Sequence, residues 1–239
     1  GLGVDAVILA DIGLLDYAAH KHPGLRLHLS VQAAASNPET IHFYQQAFNI
    51  KRVVLPRVLS VAEIAALNKE ISVETEVFVF GGLCVMAEGR CALSSYVTGQ
   101  SPNTNGVCSP ACAVRYEEDG DRMVSRLGDF TINAFEADEP AGYPTLCKGR
   151  FVARGTASYL FEDPVSLNAA SILPELTAAG VTGLKIEGRQ RGKAYIAEVV
   201  SSFRHAVDSL ADGMVEASDL TAIAEGQRKT SGAYDKPWR

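Results

Sequence analysis

The sequence lacks any apolar run that approaches the roughly 18–20 residues needed for a membrane-spanning helix. It also lacks a basic-then-apolar leader, so a cytoplasmic location is the expectation. It has no excess of positive charge, because 22 Lys and Arg oppose 28 Asp and Glu for a formal net charge of −6. Broad binding to a nucleic-acid backbone needs clustered basic residues and is therefore disfavoured, although a local basic pocket is compatible with the composition.

Motifs of the common hydrolases are also missing. There is no Gly-x-Ser-x-Gly elbow and no His-Glu-x-x-His helix. The five histidines show no ligand spacing with carboxylates. A cysteine protease using Cys91 or Cys108 would need a partnered histidine, and the sequence does not offer one. Nothing in the sequence supports proteolysis.

What the sequence does contain is an alternation of strands and helices, with 47% hydrophobic residues in a chain of 239. The predicted strands are Ala6–Ala10, Leu25–Val31, Arg52–Leu55, Glu76–Phe80 and Gly183–Ile186. The predicted helices are Leu14–His20, one that begins at Pro38, one from Ser60 to about Lys69, Leu167–Ala179 and Tyr195–Leu210. Asn37 is predicted to cap the second helix, and Ser60 with Glu63 to form a capping box on the third.

This order indicates an α/β protein whose parallel strands are joined by helical crossovers. We predict a TIM-like (β/α) barrel, an architecture that needs eight units, of which five can be counted here. The chain starts at Gly1 and enters a strand at once, so we expect a truncation of roughly three units at its amino end. A complete doubly wound domain is the alternative.

Four segments are predicted. Residues 1–83 form βα units of the barrel, and residues 84–160 form a cysteine-rich insert that precedes the last strand. Residues 161–211 supply the final helix, strand and helix, and residues 212–239 form a polar, irregular tail.

All five cysteines lie in the insert, at positions 84, 91, 108, 112 and 147, mostly among Gly, Pro, Asn and Ser typical of loops. In a reducing compartment they are expected to be metal ligands or core residues rather than disulfides. Structural zinc sites usually show two tight Cys-x2–4-Cys pairs, and only Cys108 and Cys112 have that form. Wide and uneven spacing is more typical of an iron–sulfur cluster. Spacing therefore favours a cluster modestly over zinc or free thiols.

The residues around the first two cysteines are more specific. The segment Gly81–Tyr96 closely resembles the signature of the collagenase-like peptidase family U32, whose catalytic type is unknown. The resemblance continues through Ser101–Cys108, Leu146–Arg150 and Leu184–Arg189, and so covers essentially the whole chain. Three features resemble family members that serve ubiquinone biosynthesis without oxygen. They are Phe80, at a position where most members carry His, the segment Met86–Arg90, and the tail from Gly232 to Trp238.

This resemblance implies a 4Fe–4S cluster bound by Cys84, Cys91, Cys108 and Cys147. It also implies a heterodimer with a UbiV-like paralogue, the pair hydroxylating the aromatic ring of a quinone precursor. Related hydroxylases suggest prephenate as the oxygen donor. Cys112 departs from the pattern of this branch, whereas other members use a Cys-x3-Cys pair here, so Cys112 either replaces a ligand or is a spare thiol beside the cluster.

Two other functions stay open at this point. One is a peptidase with a structural zinc, which the family name suggests. The other is an RNA-base hydroxylase of the same family, against which the acidic balance argues.

A second set of candidate residues follows the strands, because the active site of a barrel lies at the carboxyl ends of its strands. These residues are Gln32, Arg57, Lys185, Glu187 and Arg189. Lys185 and Glu187 share a face of the fifth strand by its period of two, and we predict an ion pair that is either structural or functional. Arg57 and Arg189 are candidates for holding a carboxylate, since a guanidinium group binds one bidentately.

Overall fold

The computed structural model describes residues 3–210 and 218–235. The strands are β1 Ala6–Leu9, β2 Arg26–Leu29, β3 Arg52–Val54, β4 Glu74–Gly82, β5 Val114–Asp119, β6 Arg122–Leu127, β7 Phe130–Phe135, β8 Arg150–Ala153, β9 Thr156–Tyr159, β10 Ser166–Asn168, β11 Gly183–Ile186 and β12 Lys229–Thr230. The helices are α1 Ile12–Lys21, α2 Pro38–Phe48, α3 Val61–Glu70, α4 Ala92–Thr98, α5 Pro102–Asn105, α6 Leu173–Ala178 and α7 Lys193–Leu210.

The first four strands form a parallel sheet in chain order. β1 pairs with β2, β2 with β3 and β3 with β4, each in parallel, and β4 also pairs in parallel with β11. β10 and β12 complete this sheet beyond β4. The predicted α/β class with a parallel sheet is confirmed. The described strands follow an open path, however, and no closed barrel is found among them.

Capping groups set the helix starts, as the sequence predicts. Asn37 accepts a hydrogen bond from the Thr40 amide at 2.8 Å, directly before Pro38. Ser60 and Glu63 form the reciprocal box, in which each accepts a bond from the other's backbone amide. In α1 the cap is Asp11, whose carboxylate satisfies the Leu14 amide at 2.9 Å. The helix therefore begins two residues before the predicted start.

The central strands are buried, and the first strand is not. Leu29, Val53, Val79 and Phe80 have no exposed surface. In contrast, Ile8 on β1 is 44% exposed. The first strand is therefore not buried on both faces, and within the described sheet it has a neighbouring strand on one side only.

The chain divides into two compact units. Unit 1 contains the residues up to Gly82, Leu167–Ile223 and the residues from Lys229 onwards. Unit 2 contains Leu83–Ser166 together with the short segment Ala224–Arg228. All five cysteines lie in unit 2. Across the portion of the chain that is described, no helix is both long and apolar enough to cross a membrane.

Unit 2 is richer in strands than predicted. β5, β6 and β7 form an antiparallel sheet, and β8 pairs with β9 as a hairpin. The cysteines themselves lie mostly on loops, as predicted: Cys84, Cys91 and Cys108 fall outside the helices and strands, and Cys112 and Cys147 lie in 3-10 turns. β5 is difficult to recognise because five of its six residues are exposed, whereas β6 and β7 each bury three of their six residues.

Two other predictions need correction. The expected helix Leu167–Ala179 is instead a strand, a 3-10 turn and the short helix α6, which has Pro174 in its first turn. The predicted irregular tail lies partly outside the described residues, at 211–217 and 236–239. Its described part carries β12 and a buried Tyr234, whose hydroxyl donates to the Phe78 carbonyl oxygen at 2.6 Å.

Candidate functional site

A small apolar core positions the cysteine-bearing segments of unit 2. Val97 on α4, Leu127 on β6 and Ile132 on β7 are buried against one another. Ala113, Val114 and Leu146 pack against this cluster. Val97 lies on the helix that follows Cys91, Ala113 and Val114 follow Cys112, and Leu146 precedes Cys147. The core therefore brings the segments of these three cysteines together.

Cys147 is the buried member of the set. Its side chain lies in a 3-10 turn and is nearly inaccessible. Burial raises the pKa of the Cys147 thiol to about 12, and the nearby Cys108 and Cys84 raise it further, while Lys148 acts in the opposite sense. Cys84 and Cys108 are therefore close enough to Cys147 to interact electrostatically with it.

Cys91 and Cys108 are joined through one serine. The backbone amide of Ser94 donates to Cys91 Sγ at 3.3 Å, and its hydroxyl donates to the Cys108 carbonyl oxygen at 2.5 Å. Ser94 itself is buried. Ser94 thus links the Cys91 segment to the Cys108 segment. All four predicted ligands lie in unit 2.

Cys112 has a different environment. It is exposed and lies in a 3-10 turn, Ala111–Ala113. Burial raises the pKa of the Tyr143 hydroxyl, and the thiols of Cys108 and Cys112 add to that shift. Cys108 and Cys112 thus both act on the Tyr143 hydroxyl, whereas Cys108 and Cys84 act on the Cys147 thiol.

These thiols fit the chemistry of an iron–sulfur cluster. None of the five cysteines is in a disulfide, and thiolates are the ligands such clusters use. Within residues 3–210 and 218–235, no three His, Cys, Asp or Glu side chains are arranged to hold a single metal ion. A cubane makes another demand, because each of its thiolates binds a different iron and the sulfurs do not converge on one point.

The strand ends of unit 1 carry a second polar group. Arg57, in the turn after β3, lies with its guanidinium carbon 3.7 Å from the centre of the Phe78 ring. Its Nη2 is 3.4 Å from Glu187 Oε2, directly after β11, and its side chain is only 11% exposed. Burial raises the pKa of the neighbouring Tyr234, and the Arg57 charge partly offsets this. The structure therefore pairs two of the predicted residues, Arg57 and Glu187.

A glycine makes this arrangement possible. Gly81, at the end of β4, has φ of +135°, and a Cβ added there would lie 2.5 Å from Glu187 Cβ. We expect Gly81→Ala to lower the free energy of unfolding by about 1–3 kcal/mol, because it adds backbone strain and displaces Glu187. Urea titration measures this. Gly24→Ala is the matched control, since nothing lies within 4 Å of its new Cβ; equal losses in the two variants would refute the steric explanation.

Lys185 does not pair with Glu187 as predicted. Its Nζ is 2.9 Å from Glu76 Oε1, in a network where Arg52 bridges Glu76 and Glu74. The pairing of β11 with β4 shifts register between Lys185 and Ile186, which interrupts the alternation of side chains. Arg26 contacts the same Glu74 at 2.6 Å. Lys185 thus belongs to a structural ion network rather than to the Arg57 group.

Glu76 is the least exposed member of this network, with 10% of its side chain accessible. We expect Glu76→Gln to lower the free energy of unfolding by about 1–3 kcal/mol, because Arg52 and Lys185 would lose a shared counter-charge. Asp208→Asn is the control: it breaks an exposed pair with Arg204, where an effect within about 0.5 kcal/mol is expected. A similar loss in both variants, measured by chemical denaturation, would contradict the network's importance.

The two remaining predicted residues, Gln32 and Arg189, lie just after strands, as predicted. Gln32 is in the 3-10 turn after β2, and Arg189 follows β11, so both are at the carboxyl ends of strands. Sequence reasoning missed Phe78 and Tyr234, which surround Arg57. Phe78 reads as an ordinary strand residue, and Tyr234 lies in a polar stretch with no apolar period, so neither gave a usable signal.

Comparison with known proteins gives relatives over most of the chain. The tRNA hydroxylation protein P of Escherichia coli is 34% identical over 243 residues, covering 94% of this chain and 53% of that protein. The 23S rRNA 5-hydroxycytidine C2501 synthase of the same organism is 28% identical, covering 94% and 29%. A collagenase of Porphyromonas gingivalis is 26% identical, covering 88% and 46%.

These relatives are longer proteins, and the chain spans about half the length of the first of them. The model of peptidase family U32 matches residues 1–235, which include both the cysteine segments and the strand ends described above. The chain therefore belongs to peptidase family U32.

Proposed function

We propose that this chain binds one 4Fe–4S cluster through Cys84, Cys91, Cys108 and Cys147. We further propose that it takes part in oxygen-independent hydroxylation of the aromatic ring of a ubiquinone precursor, in the manner of the ubiquinone-biosynthesis protein UbiU. The observation that carries the proposal is that the four cysteines lie in one compact unit, where the thiols of Cys108 and Cys84 both raise the pKa of the buried Cys147.

The choice of Cys147 over Cys112 as fourth ligand rests on their surroundings. A buried thiol whose pKa is raised by neighbouring sulfurs is costly to ionise alone, and a metal that takes the proton's place offsets that cost. Cys112 is exposed, so its thiol does not carry this cost of burial. We therefore assign Cys112 as a spare thiol.

Sequence resemblance and net charge both favour a quinone precursor over RNA as the substrate. Phe80, the Met86–Arg90 segment and the tail from Gly232 resemble the ubiquinone branch of the family. Phe80 is fully buried and packs near the rings of Tyr195 and Phe203, so the histidine of other members would meet apolar neighbours here. The formal net charge of −6 suits a small-molecule substrate better than an RNA backbone.

When bound, a 4Fe–4S cluster supplies one-electron transfer. The chain's own contribution in this proposal is to hold the oxygen donor. Arg57, stacked on Phe78 and oriented by Glu187, would bind the carboxylate of a donor such as prephenate, with Gln32 and Arg189 at neighbouring strand ends. A UbiV-like paralogue would complete the enzyme as a heterodimer in the cytoplasm, where free cysteines are stable.

RNA-base hydroxylation is the second candidate. The names of two Escherichia coli relatives refer to modification of tRNA and 23S rRNA, and each match covers 94% of this chain. A peptidase with a structural zinc is the third candidate, which the collagenase relative keeps open.

Metal analysis followed by product analysis tests the three candidates. Iron and acid-labile sulfide in protein purified without oxygen support the cluster, whereas zinc without sulfide supports the peptidase. The protein is then co-expressed with a UbiV-like partner in anaerobic cells that lack their own ring hydroxylation. Restored hydroxylation of the quinone precursor is the expected result; hydroxylated bases in RNA digests, with no change in quinone, would overturn it.

We also propose that the parallel sheet is part of a TIM-like (β/α) barrel. Its first four strands follow one another in chain order without the reversal that a doubly wound sheet contains. An experimental structure of a longer chain in which the outer edge of β1 remains unpaired would contradict this.

A further inference from the structure

A nearly buried lysine lies directly beside the predicted fourth ligand. Lys148 follows Cys147 in the same 3-10 turn, and only 8% of its side chain is exposed. Its ammonium group pairs with the carboxylate of Glu225, itself 20% exposed. Because a lysine is costly to bury without a counter-charge, this pair fixes both the position and the charge of Lys148.

Glu225 reaches Lys148 from a distant part of the sequence, in the segment Ala224–Arg228 that joins unit 2. The Glu225 amide donates to Ser166 Oγ at 2.9 Å, and the Ser166 amide donates to the Arg228 carbonyl oxygen at 3.0 Å. Arg228 also pairs with Asp163 at 2.7 Å. Three contacts therefore hold this segment against residues 163–166.

The residue before this stretch, Glu162, is in turn bonded to the ligand residue. The amide of Glu162 donates to the Cys147 carbonyl oxygen at 3.1 Å. Burial raises the pKa of Glu162, which favours its neutral form, although Lys148 opposes the shift. Lys148 is the charged residue adjacent to Cys147 in the sequence.

This charge lies next to the ligand, because Lys148 and Cys147 are consecutive residues of one 3-10 turn and the lysine side chain is nearly buried. A positive charge so placed favours negative charge at the Cys147 sulfur. One-electron reduction adds one negative charge to a cluster bound at the same sulfur. A fixed positive charge beside it stabilises the reduced form by the same electrostatics and raises the reduction potential.

Building on the proposed function, we infer that Lys148, held by Glu225, is a positioning residue that sets the reduction potential of the cluster. It touches neither substrate nor reacting atoms. Its role predicts an altered potential with an unaltered metal content, which a residue needed only for folding would not produce.

Redox titration of the reconstituted full chain, followed by electron paramagnetic resonance, tests the inference with three variants. Lys148→Met should keep its iron but lower the ratio of reduced to oxidised cluster about tenfold at a fixed potential, equivalent to a midpoint about 59 mV lower for one electron. Lys148→Arg keeps the charge and should retain the wild-type potential. Lys229→Met, which removes a lysine paired with Asp219 on the surface of unit 1, is the control and should change nothing.

An unchanged potential in Lys148→Met, an equal shift in Lys148→Arg, or loss of iron in Lys148→Met would each overturn the inference while leaving the cluster in place in the wild type. Absence of iron and sulfide from the wild-type protein is a different result, since it would refute the proposed function itself.

Discussion

Replacing Cys147 with alanine is expected to reduce the iron of anaerobically prepared protein from about four atoms per chain to below one. A cubane with one open corner is exposed to water and to oxidants, and the alanine also leaves a gap in the turn that packs beside Val97 and Leu127. The measurement is iron and acid-labile sulfide per chain, together with the visible absorbance of the cluster.

Cys112→Ala is the matched control, since it removes a thiol from the same unit at an exposed position. It is expected to keep its iron and sulfide. The reverse outcome, with iron lost in Cys112→Ala and retained in Cys147→Ala, would assign the fourth ligand to the Cys-x3-Cys pair. Equal retention in both would argue against four cysteine ligands of the proposed identity.

Replacing Arg57 with methionine is expected to lower ring hydroxylation by about a hundredfold or more, because a carboxylate-binding group would be lost from a largely desolvated position. Methionine keeps apolar contact with the Phe78 ring, so most of the packing is preserved. Arg57→Lys should also be impaired, since lysine retains the charge but not the planar fork. Product formation by the reconstituted pair provides the measurement.

The absorbance and iron content of both Arg57 variants should match the wild type, as Arg57 belongs to unit 1 and the cysteines to unit 2. Arg204→Gln, on the exposed face of α7, serves as the control for loss of a positive charge. If Arg57→Met lost its iron as well as its activity, the role of Arg57 would be structural. If the activity were unchanged, the carboxylate-binding role would be wrong.

The parts of the fold that depend on local chemistry could be predicted from the sequence. The caps at Asn37 and Ser60 depend on a side chain and an amide three residues away, so both are visible in the sequence. β11 was predicted with its observed bounds because Gly180 before it, at φ of +86°, marks the end of the preceding helix. β5 escaped prediction because it is almost entirely exposed, whereas β7 does alternate, with apolar Phe130, Ile132 and Ala134, but is too short to stand out within the polar insert.

The candidate site could be predicted only in its composition. The sequence indicated which strand ends are polar, and the structure pairs Arg57 with Glu187 as that placement suggests. It could not indicate the register shift in β11, which directs Lys185 to Glu76 instead. The contact of Tyr234 with Phe78 spans 156 residues, and no short-range pattern encodes such a pairing.

The ion pair between Lys148 and Glu225 has a consequence for biosynthesis, because its partners are 77 residues apart in the sequence. At a translation rate of about 5–20 residues per second, the ribosome adds that stretch in roughly 4–15 s. Throughout this interval the nascent Cys147 turn exists without the carboxylate that pairs with Lys148. Under the proposed function, insertion of the cluster into a finished site must therefore follow the synthesis of residue 225, and a ribosome stalled before that residue would present cofactor-loading factors with an incomplete acceptor.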